Sequence, residues 1–319
     1  MREIMTVTGP LWPEELGFCQ CHEHIAIRKE YLSQVNPALC MEEPQKNLEE
    51  LKRYKKAGGV SLIDAQPVGC GRMTKTLKFL SQESGIRILA STGFHKLSFY
   101  PYDHWLYTAS EESLEHIWVS ELTEGMYADA DRAFPARQCA VKAGILKTAY
   151  DTEELSARYQ KLFRAAVKAA RKTDRILMIH VEQNTNPVLL QQYLLELGMP
   201  AQDMIFCHMD RACKDLSMHT AILKNGSYLE FDTIGRFKYH SDEREIQIIG
   251  KLLAAGFGRQ LLYSLDTTRE RLKSYTPNGV GLDYILNVFN PALRKAGLSE
   301  AILRQFSVEN PARALTGQG

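Results

Sequence analysis

The sequence predicts an α/β chain folded as a single (β/α)8 barrel. Three observations point there: short apolar runs alternate with longer amphipathic ones, no Pro/Gly/Ser linker or change of composition interrupts them, and the apolar runs number eight. A chain of 319 residues could hold two domains by length, but α/β barrels often fill this length as one, so residues 1–319 are read as one domain. An open doubly wound sheet is the competing fold. It would place a Gly-rich phosphate turn after the first strand, where GFCQCHEHIAIRKEY offers none.

The first strand candidate, Gly17 to Ile27 (GFCQCHEHIAI), carries His22 and His24. Alternation along a strand puts two residues at this spacing on one face and turns Glu23 away. The second is Val60 to Pro67, entered from a helix at Lys46 to Ala57 that stops at Gly58-Gly59. The third is Arg87 to Thr92, and the aromatic segment Phe94 to Trp105 follows it. Ala143 to Tyr150 is the fourth, Arg175 to Val181 the fifth, Met204 to His208 the sixth, Ser227 to Asp232 the seventh and Leu261 to Asp266 the eighth. Helices are expected at Ser110–Met126, Thr152–Lys172, Asn186–Leu197, Leu216–Lys224, Asp242–Ala255 and Leu282–Ala296. Thr152 with Glu153 and Glu154 reads as a cap with first-turn acids. A last helix, Ser299 to Phe306, is expected to stop before Asn310-Pro311.

Composition excludes several classes of function. Hydrophobic residues are 45% and charged residues 24%, as in soluble globular proteins. The net charge of +1 gives no global field for nucleic acid or an anionic membrane. No stretch approaches the ~18–20 apolar residues of a membrane span, and the N-terminus has no long apolar region, so a cytoplasmic location is expected. Seven cysteines, at 19, 21, 40, 70, 139, 207 and 213, form no CxxC pair and suit a reducing compartment. Cys19 and Cys21 read as small buried side chains.

Chemistry enters through the polar residues at strand ends. In a barrel of this kind the working residues stand at the C-terminal ends of the strands. His22 and His24 lie on the first strand, Lys147 near the end of the fourth and His180 near the end of the fifth; His208 closes the sixth and Asp266 the eighth. Singly, each histidine has an ordinary reading as a hydrogen-bonded core residue, and Asp266 as a helix cap. Four histidines and a carboxylate converging on one rim instead suit zinc or a related divalent ion. Lys147 is the odd member, since an ammonium repels a cation.

The set of CHEH on the first strand, AGILK on the fourth, histidines on the fifth and sixth and LD on the eighth resembles the phosphotriesterase family of the amidohydrolase superfamily. AGGVSLID, ASTG and the closing SVENPARAL extend the likeness along most of the chain. The resemblance implies a binuclear site of two divalent ions, zinc first, with manganese, cobalt or iron as alternatives. His22, His24 and Asp266 would hold one ion, His180 and His208 the other, and Lys147, carboxylated by CO2, would bridge them with a hydroxide. Hydrolysis is then the expected reaction, with Asp266 as proton shuttle.

The loops must choose the substrate. After the eighth strand come Arg269, Arg271, Lys273 and Tyr275, and after the seventh come Arg236, Lys238 and Tyr239. These loops commonly bind phosphate in such barrels. They look like the branch of the family that opens phosphorylated sugar (aldono) lactones, with Lys238, Arg269 and Tyr275 as expected anchors and Arg271 and Lys273 in reserve. The ordinary alternative is a solvated basic loop paired with Glu243 or Glu270. Asp232-Thr233 departs from the Asp-Arg of many acyl-homoserine lactonases of the family, which leaves that arginine's role unfilled. Phe94-His95 replaces their Tyr-bearing loop, so a compact polar substrate is expected over a long acyl chain. Phosphotriesterase or carboxylesterase activity on the same metals is the first alternative, and a non-catalytic, metal-stabilised binding protein the second. His95 and Tyr100 read equally as mouth residues or ordinary loop residues. The aromatic segment reads equally as an exposed lid or as the cover of a partner in a homodimer.

Overall fold

The computed structural model describes residues 2–212 and 215–317; Cys213 lies outside them. A two-stranded antiparallel hairpin, β1 (Ile4–Thr6) and β2 (Gly9–Leu11), comes first and has no counterpart among the sequence expectations. Eight parallel strands follow: β3 (Cys19–Glu23), β4 (Ser61–Asp64), β5 (Arg87–Gly93), β6 (Ile145–Tyr150), β7 (Leu177–Val181), β8 (Met204–Cys207), β9 (Tyr228–Phe231) and β10 (Leu261–Tyr263). They pair in strict chain order, as βαβ units wound one way around an axis require.

The seam between β10 and β3 is closed by cross-links just beyond the ladder. The Asp266 amide donates to the His22 carbonyl at 3.0 Å. Glu23 accepts from the Leu265 amide at 2.8 Å and the Thr267 hydroxyl at 2.7 Å. Glu23, which does turn away from the histidines, is thus the acceptor that fastens the last strand to the first.

Two cores result. Cys19, Cys21, Ile63, Leu89, Ile145, Met178, Ile205 and Leu262 fill the barrel, and Ile4, Leu11 and Leu16 close its N-terminal end. The alternate strand residues, such as Leu62, Ile88, Leu146 and Ile179, pack against the helices. Wholly buried Cys19 and Cys21 are interior side chains, as expected.

Several boundaries differ from the sequence reading. The helix expected from Thr152 runs Ala157–Thr173, with Ser156 at its N-cap. Asp151 explains the delay: its carboxylate takes the Glu153 amide and the Tyr159 hydroxyl, and Glu154 lies in the left-handed region at φ +47°. The chain also does not stop before Asn310-Pro311. A π-turn, Gln305–Glu309, leads into the helix Asn310–Thr316, whose first turn tolerates the missing proline N–H. Thr74–Ser84, a helix whose apolar residues are diluted by Thr and Ser, escaped the pattern. In the aromatic segment Phe94, Phe99, Tyr100 and Trp105 are buried in the core, while Tyr102 is exposed. No described helix is long and apolar enough to cross a membrane.

Candidate metal and substrate site

Interior-facing strand positions become the site where β6, β7, β9 and β10 end. Lys147 follows the parity of Ile145, His180 that of Met178, Asp232 that of Tyr228, and Asp266 that of Leu262. Two histidines break parity and are recovered by backbone irregularities. On β3, Gln20 pairs with Leu62 and Glu23 with Asp64, so Cys21 and His22 together stand opposite Ile63. This one-residue bulge turns His22 to the same side as interior Cys21, after which His24 follows His22. His208 has φ +61° and Asp266 φ +48°. Left-handed backbone at a non-glycine residue costs of order 1–3 kcal/mol and concentrates at functional sites. Here it turns both side chains over the mouth.

The six residues named from the sequence meet there. Ligand atoms of His22, His24 and Asp266 lie within 4.8 Å of one another, with Asp266 Oδ1 3.7 Å from His22 Nε2 and 3.5 Å from His24 Nε2. His180 Nδ1 and His208 Nε2 are 2.7 Å apart. Lys147 Nζ, wholly buried, lies 3.1 Å from His22 Nε2 and forms no ion pair with a carboxylate among the described residues. Burial pushes His24 and His180 down to about 3 and holds His22 and His208 below the usual imidazole range, so all four are neutral donors at physiological pH. Against the desolvation of its carboxyl group, Arg236 and the surrounding histidines hold Asp266 well below the usual carboxylate range.

This donor set fits two divalent ions. Neutral imidazole nitrogens crowd at distances that leave their lone pairs unscreened, beside an ionised carboxylate. The carboxylates behind them also fit. Asp232, which escaped notice as a site residue, stands 2.6 Å from His208 Nδ1 and 3.1 Å from His22 Nδ1, orienting one imidazole of each proposed ion's set. Glu182 stands 3.5 Å from His180 Nε2 and pairs with Lys96 at 2.7 Å. An acid following a strand-end histidine by two residues, as in HVE, was the available signal.

A cavity of about 850 Å³ opens over the histidines. Of the expected anchors, Lys238 and Arg271 line it. Tyr275 does not; its hydroxyl bonds to Asn47 and to the Glu43 amide, 2.7 and 3.1 Å away. Arg269 stacks over the Tyr275 ring, and Lys273 is taken by Asp283 at 2.7 Å. These three are held on the side of the loop facing the helix Pro44–Ala57 and Asp283. Cations not among the expected anchors, Lys96, Arg211 and Arg236, complete the lining. Arg236 binds Asp266 Oδ2 at 2.9 Å and the Asp266 carbonyl at 2.8 Å, so the site has an arginine although residue 233 is Thr. His95 reaches the mouth, its ring 5.2 Å from that of His180. Tyr100 stays beneath, accepting the His95 amide at 2.9 Å.

A parallel eight-stranded barrel thus carries histidines, a lysine and an aspartate at its C-terminal mouth, a donor set of the kind that divalent ions require. The sequence matches the phosphotriesterase family over residues 2–315, and the chain belongs to that family. It is 26% identical to a phospho-furanose lactonase of Mycoplasmopsis synoviae, across 97% of this chain and 90% of that one. It is also 26% identical to an N-acetyltaurine hydrolase of Xenopus tropicalis, across 98% of both. Among solved structures, a lactonase from Listeria monocytogenes superposes with a TM-score of 0.89 at 25% identity, covering all of both chains. An amidohydrolase from Mycoplasma synoviae shares the fold with a TM-score of 0.93 at 24% identity, covering 98% of this chain and 92% of that one.

Proposed function

We propose that the chain is a hydrolase that opens a compact lactone carrying a phosphate, a phosphorylated sugar lactone being the best fit. Arg271 carries this reading. It is 8% exposed and lines the cavity, yet its Nε and Nη1 have no acceptor; only Nη2 is used, toward the Ile234 carbonyl. A buried guanidinium with two free donors calls for an anion. Lys238 and Arg211 line the same cavity and supply further charge. The lactonase relative supports the ring ester as the reacting group, and N-acetyltaurine, the substrate in the other relative's name, likewise ends in an oxyanion, a sulfonate.

His22, His24 and Asp266 would hold one divalent ion and His180 and His208 the other, with Lys147 as a CO2-derived carbamate between them. Bound there, zinc or a related ion would supply Lewis acidity to the carbonyl and make hydroxide available near neutral pH. The protein's own part follows from its geometry. Arg271 and Lys238 fix the phosphate, which sets the ring's carbonyl toward the histidines. Asp266, oriented by Arg236, carries the proton from the attacking water to the ring oxygen as the ester bond breaks. In this proposal residues 1–319 work as one unit, because the ligands come from positions as distant as 22 and 266.

The test compares kcat/KM for sugar lactones with and without a terminal phosphate, with N-acetyltaurine as a third arm. The phosphorylated lactone should lead, and Arg271→Met should cut its kcat/KM about 10–100-fold, the worth of a charged hydrogen bond, mainly through KM. Equal rates on both lactones would sink the phosphate reading, and faster turnover of the amide would replace the ester.

A further inference from the structure

A second cluster of ligating side chains lies behind β8 and β9, apart from the histidines of the mouth. Asp210, His240 and Glu245 each offer one donor atom, all within 4.8 Å of one another. Glu245, in the first turns of the helix Asp242–Ala254, is wholly buried, and neither of its oxygens has a hydrogen-bond donor. Asp210 is 3% exposed and its Oδ1 is likewise unpartnered. Its Oδ2 takes the Thr233 amide and, at 2.7 Å, the Thr233 hydroxyl. Among the described residues no lysine or arginine forms an ion pair with either carboxylate.

His240 has the disposition of a metal ligand. Its Nδ1 faces the Ser241 carbonyl at 3.2 Å, which orients the ring. Its Nε2 lies 3.1 Å from Glu245 Oε2 and 3.9 Å from Asp210 Oδ2, and 3.1 Å from the Thr233 hydroxyl that donates to Asp210. Buried carboxylate oxygens without donors, this close to one another, repel unless a proton or a cation stands among them.

We infer that Asp210, His240 and Glu245, with the Thr233 hydroxyl, form a third cation site that takes a divalent transition ion such as zinc. One imidazole and two carboxylates suit such an ion. It would tie the loop after β8, which carries His208 and Arg211, to the loop after β9, which carries Arg236 and Lys238. The site thus braces cavity-lining residues without touching substrate.

The experiment stands independently of the binuclear proposal. The full-length chain, stripped with chelator and dialysed against micromolar zinc chloride, is analysed for bound zinc by mass spectrometry, beside Glu245→Gln. Three zinc per chain falling to two in the variant is expected. Equal zinc in both proteins overturns the inference and leaves the cluster as carboxyls sharing a proton. If Glu245→Gln does not fold, crystals of the wild type grown with zinc decide. Anomalous density among Asp210, His240 and Glu245 supports the site, and none there overturns it. Density at this triad without density at His22 and His180 would overturn the binuclear reading alone.

Discussion

Asp266 and Asp232 illustrate how one residue type takes different work from its surroundings. Asp266 faces the cavity, and its Oδ1 is 3.5 Å from the nearest histidine nitrogen. If Asp266 carries the proton as proposed, Asp266→Asn should lower kcat about 10²–10⁴-fold in a folded protein; full activity in that variant would falsify the assignment. Asp232 is wholly buried; it meets the outer nitrogens of His22 and His208 and accepts the His208 amide at 3.0 Å. Asp232→Asn should therefore weaken zinc binding about 10–100-fold by competition with a chelator, because it frees the ring orientation of both imidazoles at once. A merely structural Asp232 would lower Tm and leave the zinc affinity of the folded protein unchanged.

Among the elements, β5 depends most on a single position. Gly93 ends the strand at φ +101°, paired with Lys147, and a Cβ there would lie 1.9 Å from the Lys147 carbonyl oxygen. Alanine must therefore push β5 away from β6, and the displacement falls on the backbone of the lysine that faces the histidines. Strain and overpacking together should cost roughly 2–4 kcal/mol, read as a lower urea midpoint, and zinc should bind less tightly. The bulge on β3 works similarly: without the extra residue at Cys21–His22, alternation would leave both histidines among the helices. The alternating pattern supplied the pairing of His22 with His24, and the bulge supplied the side to which they turn.

Across the molecule, buried histidines and buried carboxyls contribute opposite slopes to the response to acid. His24 and His180 are pushed down to about 3 and His104 to about 4, each chiefly by burial, against an ordinary value of 6.5. Between these values the unfolded chain takes up protons that the folded chain refuses, so this stability is complete above pH 6.5 and is lost as pH falls toward 4. Each histidine contributes a slope of about 1.4 kcal/mol per pH unit in that window. Glu23 and Asp64, raised by burial to about 8 and about 7, slope the other way, so the test is a difference: across urea midpoints of metal-free protein at pH 7.5, 6 and 5, His104→Gln should remove one histidine's share of the slope. Equal slopes for the two proteins would show that His104 titrates normally in the fold.

By itself the sequence determined the barrel, because eight apolar runs at a repeating interval have few other ways to bury both faces. It also singled out the residues that converge at the mouth: His22, His24, His180, His208 and Asp266 as polar residues at strand ends, and Lys147 through the family resemblance. The outer carboxylates and the substrate-facing cations were decided only by the tertiary structure. Arg271, Arg269, Lys273 and Tyr275 share one short loop, and nothing in their order tells which turns inward. That choice belongs to what each meets across the fold: Tyr275 finds Asn47, Lys273 finds Asp283, and Arg271 alone is left buried beside the cavity with donors to spare. A side chain's direction in a loop is set by partners remote in the chain, and no local pattern encodes them.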